Sequence, residues 1–228
     1  MNKKITFILE ILLFIVIGVG LFFVINGSPF GNNEISDNGT EANQPVDVSK
    51  QSVQTTNGKI LVVYFSRTGE NYSVGNVDVG NTAMMASYII DYLDADSYEI
   101  IPVNSYPNNY DETTTQAQEE KKNGVRPQIK YSLNDIDSYD TVFIGYPIWW
   151  GDLPMIVYTF IEEYDLSGKT IIPFNTHEGS GSAGTYNTLK NKLVNSNVII
   201  DGLALRGSKA RTSEGKEETI NWLKGLGY

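Results

Sequence analysis

With 228 residues, 41% hydrophobic and 19% charged, the chain is long enough for one domain with a sizeable core plus accessory segments. A formal net charge of −10 leaves no basic stripe to neutralise a nucleic-acid backbone, so nucleic acid is not an expected partner. The lack of cysteine excludes disulfides, thiol catalysis, cysteine-ligated metals and a lipid-modified cysteine.

Lys3 and Lys4 precede an apolar stretch from Ile5 to Ile25, broken by Thr6 and Glu10, about as long as a hydrocarbon core requires. Residues 1–25 therefore read as a membrane anchor. No Lys or Arg follows until Lys50, which places the N-terminus in the cytoplasm and the rest of the chain on the extracytoplasmic side of a cell membrane, as a single-pass protein. A cleaved secretory signal peptide is the alternative, and it too exports the domain; the lack of a small-x-small cleavage site after Ile25 favours the anchor. Residues 26–57 turn to Asn, Ser, Thr, Gln, Gly and acids, a composition that cannot bury enough surface to fold and reads as a flexible tether. The domain proper is expected over 58–228.

Within it, strand and helix signals alternate. Ile60 to Phe65 is an apolar run suited to a buried parallel strand, and it ends in Ser66-Arg67-Thr68-Gly69, where hydroxyls and backbone N–H groups suit an anion such as phosphate. Asn81 to Leu93 carries apolar residues at helical spacing, and Tyr98 to Val103 reads as a second strand. A long connection holding Tyr106, Tyr110 and Arg126-Pro127 leads to a third strand, Thr141 to Tyr146, followed by Pro147-Ile148-Trp149-Trp150-Gly151. Two adjacent tryptophans in a loop cannot both enter one core, so at least one is expected to offer its indole to a planar ligand. A helix from Pro154 to Tyr164 begins with proline in its first turn, and a fourth strand, Thr170 to Asn175, precedes Thr176-His177-Glu178-Gly179-Ser180-Gly181, small enough for close backbone approach. Helices at Tyr186 to Leu193 and Ser213 to Leu223 flank a fifth strand expected to be continuous from Asn197 to Leu205. Five βα units imply an α/β fold with a parallel sheet covered on both faces, and ligands in such sheets bind beyond the carboxyl ends of the strands.

The three loops in order resemble those of the flavodoxin family, most closely its short-chain, exported or membrane-anchored bacterial members, over a stretch from about Lys59 to the C-terminus. The resemblance implies a five-stranded parallel sheet of order 2-1-3-4-5 between helical layers, and non-covalent FMN. In that family the first loop reads Ser/Thr-x-Thr-Gly-Asn-Thr and holds the FMN phosphate. Here Ser66-Arg67-Thr68-Gly69 matches the first half, and the second half stands later as Gly80-Asn81-Thr82, so Glu70 to Val79 is expected to be an insertion with Asn81-Thr82 resuming at the first helix. The resemblance also implies that Pro147, Ile148, Trp149, Trp150 and Gly151 cover one flavin face. Thr176, His177, Glu178, Gly179, Ser180 and Gly181 would then meet the pyrimidine edge. Continuity of the fifth strand is what marks the short-chain type.

No catalytic residue and no metal site is assigned. His177, the single histidine, stands either as a proton donor near a reduced flavin or as a structural loop residue. The acid pairs Glu119-Glu120 and Glu162-Glu163 are expected on solvated helix faces. A phosphoacceptor receiver domain is disfavoured because no acidic cluster follows the first strand. The expected function is an electron-carrying flavoprotein working with a redox partner protein or with membrane quinone and quinol. The alternatives are an FMN-dependent reductase of quinones or other small acceptors, and a non-catalytic module that binds a phosphorylated ligand.

Overall fold

The computed structural model describes residues 58–228. The expected anchor (1–25) and tether (26–57) lie outside the described residues; among those described, no helix is long and apolar enough to cross a membrane.

The first strand, β1 (Ile60–Tyr64), leads through a small hairpin, β2 (Gly69–Asn71) and β3 (Gly75–Val77), into α1 (Asn81–Leu93). Then come β4 (Asp96–Glu99), α2 (Tyr110–Asn123), β5 (Thr141–Pro147), α3 (Met155–Glu163), β6 (Thr170–His177) and α4 (Thr185–Lys192). The chain closes with β7 (Asn197–Val198), β8 (Leu203–Arg206), the short α5 (Gly207–Ala210) and α6 (Ser213–Gly225). The sheet runs β4-β1-β5-β6 with β7 and β8 both pairing β6, all parallel, which is the order 2-1-3-4-5 once β7 and β8 share the fifth position.

Strand residues alternate between two apolar layers, as the two-residue period of a strand requires. Val62, Phe143, Ile172 and Phe174 meet α1 and α6 through Met85, Ile89 and Leu223. Leu61, Val63, Val142, Ile144 and Ile171 face α3 and α4 through Ile156, Phe160 and Leu189. Both faces are covered, so the central strands are apolar throughout, and each fully buried aliphatic or aromatic side chain contributes roughly 1.5–3 kcal/mol.

Two expectations about strands are corrected. The fifth strand is not continuous from Asn197 to Leu205, because residues 199–202 leave the ladder. Ile199 N–H donates to Ile171 O, so odd-numbered residues of β6 turn their backbone polar groups toward the fifth strand. Pro173 falls on that side and has no N–H to give, and the interruption sits beside it. The second strand is Asp96–Glu99 and not Tyr98 to Val103. Its polar, largely exposed residues are those of an edge strand, whereas the more apolar 100–103 turns away so that Val103 N–H donates to Gln128 O and Lys130 N–H to Ile101 O.

Candidate functional site

Three loops at the carboxyl ends of β1, β5 and β6, together with α2, enclose a cleft of about 300 Å³, at the lower end of small-molecule sites. The sequence-expected residues that line it are Ser66, Arg67, Asn81, Thr82, Pro147, Ile148, Trp149, Trp150, Thr176, His177 and Glu178. Thr68, Gly69, Gly151, Gly179, Ser180 and Gly181 are not in the lining, and the Thr68 side chain is exposed. Asn71, Tyr72, Tyr110, Thr113, Thr114 and Ala117 complete the wall.

The segment after Gly69 is a self-contained hairpin, and α1 begins at Asn81 behind it with Gly80 as its N-cap. Ser66 Oγ accepts the Ala83 N–H at 3.0 Å, so the end of β1 and the start of α1 meet directly although ten residues loop out between Gly69 and Gly80. Gly80 permits the contact: a Cβ there would stand 2.2 Å from Ser66 Oγ and 2.5 Å from Arg67 O. Thr82 and Thr176 share a buried hydroxyl hydrogen bond of 2.8 Å, which links the helix start to the end of β6. The first amides of α1 have no intrahelical acceptor by position, and the helix dipole adds positive potential where Ser66, Asn81 and Thr82 converge. Arg211, on the segment after α5, adds a guanidinium that donates to Val79 O at 2.7 Å and Asn81 Oδ1 at 3.3 Å.

The tryptophan loop forms a two-residue reverse turn. Trp149 and Asp152 exchange backbone hydrogen bonds of 3.0 Å, and the two residues between them, Trp150 (φ 51°) and Gly151 (φ 70°), are both left-handed. This is the primed turn of tight hairpins, and it holds a bulky residue in a conformation that usually costs about 1–2 kcal/mol. α2 restrains it: Trp150 Nε1 donates to Thr114 O at 2.8 Å, and Lys121 Nζ donates to Trp150 O at 2.8 Å and pairs with Asp152. Trp149 is half-buried, edge-on to Phe65 at 5.3 Å and Tyr106 at 4.8 Å, while Trp150 is exposed. One indole thus serves the core and the other remains open, as the adjacency of the pair implied.

Residues 59–225 match the family model described as Flavodoxin. The chain belongs to the flavodoxin family. It is similar to the structure of a candidate flavoprotein from Bacteroides eggerthii DSM 20697, at 34% identity over 75% of this chain and 99% of that one, with a TM-score of 0.58. A candidate flavoprotein from Bacteroides uniformis ATCC 8492 aligns at 30% identity over 73% and 98% of the two chains, with a TM-score of 0.59. A flavoprotein from Lactobacillus acidophilus NCFM, solved in complex with FMN, shares the fold at 23% identity over 67% and 95%, with a TM-score of 0.51. No match is found among curated proteins.

Arg67 occupies an unexpected role in this flavodoxin domain. Its guanidinium is turned onto backbone carbonyls, with Nε and Nη2 donating to Pro107 O at 3.1 and 2.9 Å, Nη2 to Asn108 O at 2.8 Å, and Nη1 to Glu70 O. The planar fork fastens the hairpin and the approach to α2 onto the first loop. Glu70 answers by accepting from Tyr110 N–H at 3.0 Å and Asn109 Nδ2 at 3.2 Å, a carboxylate at the positive end of α2.

At the opposite wall, His177 Nδ1 accepts the Gly179 N–H at 2.9 Å, which fixes the imidazole in a form unprotonated at that nitrogen. Burial lowers its pKa, Arg206 adds to the effect, and a hydrogen bond to the Ala204 backbone opposes it. Burial raises the Glu178 pKa, against the Gly207 N–H and Arg206. Asn175, fully buried, donates from Nδ2 to Gly181 O at 3.1 Å and anchors the glycine-rich loop from below.

Of the two acid pairs, Glu120 alone departs from expectation. Glu120 is buried and not on a solvated face: it accepts from Tyr106 OH at 2.8 Å and Gln116 Nε2 at 2.9 Å, while Glu119 is exposed. Glu162 is paired with Arg126 at 2.6 and 2.9 Å, and Glu163 is exposed. Among the described residues no acidic or histidine cluster could hold a metal.

Proposed function

We propose that the cleft binds FMN without a covalent link and that the protein carries electrons between redox partners. The observation that carries this reading is the convergence of Ser66, the start of α1 and Thr82 at one end of a cleft whose other walls hold Trp149 and Trp150. The donor set fits the cofactor: hydroxyls and free helix amides suit a phosphate, and the indoles suit a planar tricycle. Bound FMN would supply one- and two-electron redox chemistry. The protein's own task is to hold the phosphate at the α1 terminus, to orient the ring between the loops after β5 and β6, and to exclude water along the Trp149 side.

The same reading extends to the whole chain. Residues 1–25 hold the domain at the outer face of a membrane, residues 26–57 act as a tether, and the partner is an exported redox protein or a membrane quinone. It is supported by Lys3, Lys4 and the apolar run that follows, and by the excess of acid, which suits a basic partner surface. The short-chain reading loses its expected support from a continuous fifth strand and rests on the shortness of the break, residues 199–202, which holds no inserted element. Reduction of small acceptors is favoured as a second reading by the exposed Trp150 at the mouth of the cleft.

Expression of residues 58–228 tests the cofactor. The purified protein should be yellow and, once its flavin is removed, should quench added FMN stoichiometrically. Colourless protein that neither quenches FMN nor is stabilised by it overturns the proposal. For location, protease added to intact cells should remove the domain and leave the N-terminal segment behind; protection of the domain overturns the external placement.

A further inference from the structure

The loop after β6 runs Glu178-Gly179-Ser180-Gly181-Ser182-Ala183-Gly184 and has no Tyr, Trp or Phe to lay against a planar ligand; the imidazole of His177 before it is tied to Gly179 N–H. Aromatic residues stand instead on the hairpin and on α2. Tyr72, at the hairpin tip, and Tyr110, the first residue of α2, both line the cleft, with ring centroids 5.8 Å apart and planes tilted by 38°. Tyr72 remains 59% exposed, so its ring faces the cleft mouth and is not consumed by the core.

The backbone that carries these rings is fastened at several points. Arg67 and Glu70 bind the hairpin to residues 107–110 from both sides, and Glu70 N–H adds a bond to Asn108 O at 2.8 Å. The hairpin backbone is pressed so close that a Cβ on Gly69 would lie 2.9 Å from Asn108 O. A pair of partly exposed aromatics carried on backbone fastened in this way, at the edge of an aromatic-lined cleft, is a stacking platform whose backbone ordering cost is already met.

We propose that Tyr72 and Tyr110 form a second aromatic wall of the cleft that stacks on a planar, electron-poor ring. That ring is either the isoalloxazine of the cofactor or the ring of a quinone-class acceptor. The inference rests on the FMN reading for the first source and stands apart from it for the second. The hairpin that interrupts the phosphate loop therefore has a recognition role, with Arg67 and Glu70 as positioning residues behind it.

The test compares wild type with Tyr72→Ala, Tyr110→Ala and the two Phe variants, by fluorescence titration with FMN and riboflavin, and with menadione on flavin-loaded and flavin-free protein. Loss of the ring should weaken either flavin or menadione about tenfold, and Phe should restore it. If the wall holds the flavin, FMN and riboflavin weaken equally, since the phosphate contacts are untouched; if it holds the acceptor, menadione alone weakens. Ala variants that keep all affinities within about twofold, with unchanged circular dichroism, overturn the proposal. Wild-type protein that binds no flavin overturns the FMN reading instead, and menadione binding to the flavin-free variants then decides the wall by itself.

Discussion

Ser66 Oγ receives the Ala83 N–H at 3.0 Å, so a residue in the loop just after β1 caps a helix that begins beyond an intervening hairpin. The contact brings Ser66 and the start of α1 together at one end of the cleft. Removing the hydroxyl with Ser66→Ala should cost about 1 kcal/mol, the usual worth of an N-terminal cap. Gly80→Ala should cost more, roughly 1–3 kcal/mol, because the added methyl has only backbone and Ser66 Oγ to push against. Urea unfolding measures both, and equal effects of the two substitutions would count against the close approach at Gly80.

Arg67 should behave as a structural staple and not as a phosphate ligand. Arg67→Lys cannot serve the carbonyls of Glu70, Pro107 and Asn108 with one ammonium, so amide exchange in the hairpin should accelerate and stability should fall by about 1–3 kcal/mol. The ratio of FMN to riboflavin affinity should hold steady. A collapse of that ratio would mean that the guanidinium reaches phosphate.

Glu120 is the sole acceptor seen for Tyr106 OH among the described residues, and Tyr106 is edge-on to Trp149. Burial raises the Tyr106 pKa far above its usual value, with the Glu120 charge adding to it, so the phenol stays protonated and must donate. Glu120→Ala should leave that donor without a partner and cost about 1–3 kcal/mol. The near-ultraviolet circular dichroism of the tryptophans should change with it; an unaltered spectrum would show that the Glu120–Tyr106 bond does not position Trp149.

His177 gives the loop after β6 a pH dependence. Its folded pKa lies below its ordinary value, so the unfolded chain binds the extra proton more readily, and stability is lost as pH falls through and below about 6.5. Protonation of Nδ1 also removes the acceptor for Gly179 N–H. Exchange at Gly179 to Gly181 should therefore rise between neutral and mildly acid pH, and His177→Gln should flatten the change. Acid-independent exchange in the wild type would sink this account.

Much of the site could be read from residue type and order. A buried parallel strand must be apolar on both faces, and the loops that follow such strands carry ligands, so the three loops and the start of α1 at Asn81 were legible directly. Separation in the chain hid other parts. Arg211 reaches Asn81 from 130 residues away, and no periodicity announces such a contact. α2 was legible only as a helical stretch around Glu119-Glu120: it buries Thr113, Ala117 and Glu120 and little else, so no apolar stripe marked its extent or its inner face.

The sequence by itself determined the alternation of strands and helices, the phosphate-suited turn after β1 and the exposure of one tryptophan of the pair, because burial pattern and local chemistry act over a few residues. Only the tertiary structure decided that Arg67 faces carbonyls, that Glu120 is buried, that the fifth strand breaks beside Pro173 and that the hairpin brings Tyr72 to the cleft. Each of these depends on which backbone groups lie across a gap in space, where a hydrogen bond of about 3 Å is fixed by folding and not by the neighbouring residues in the chain.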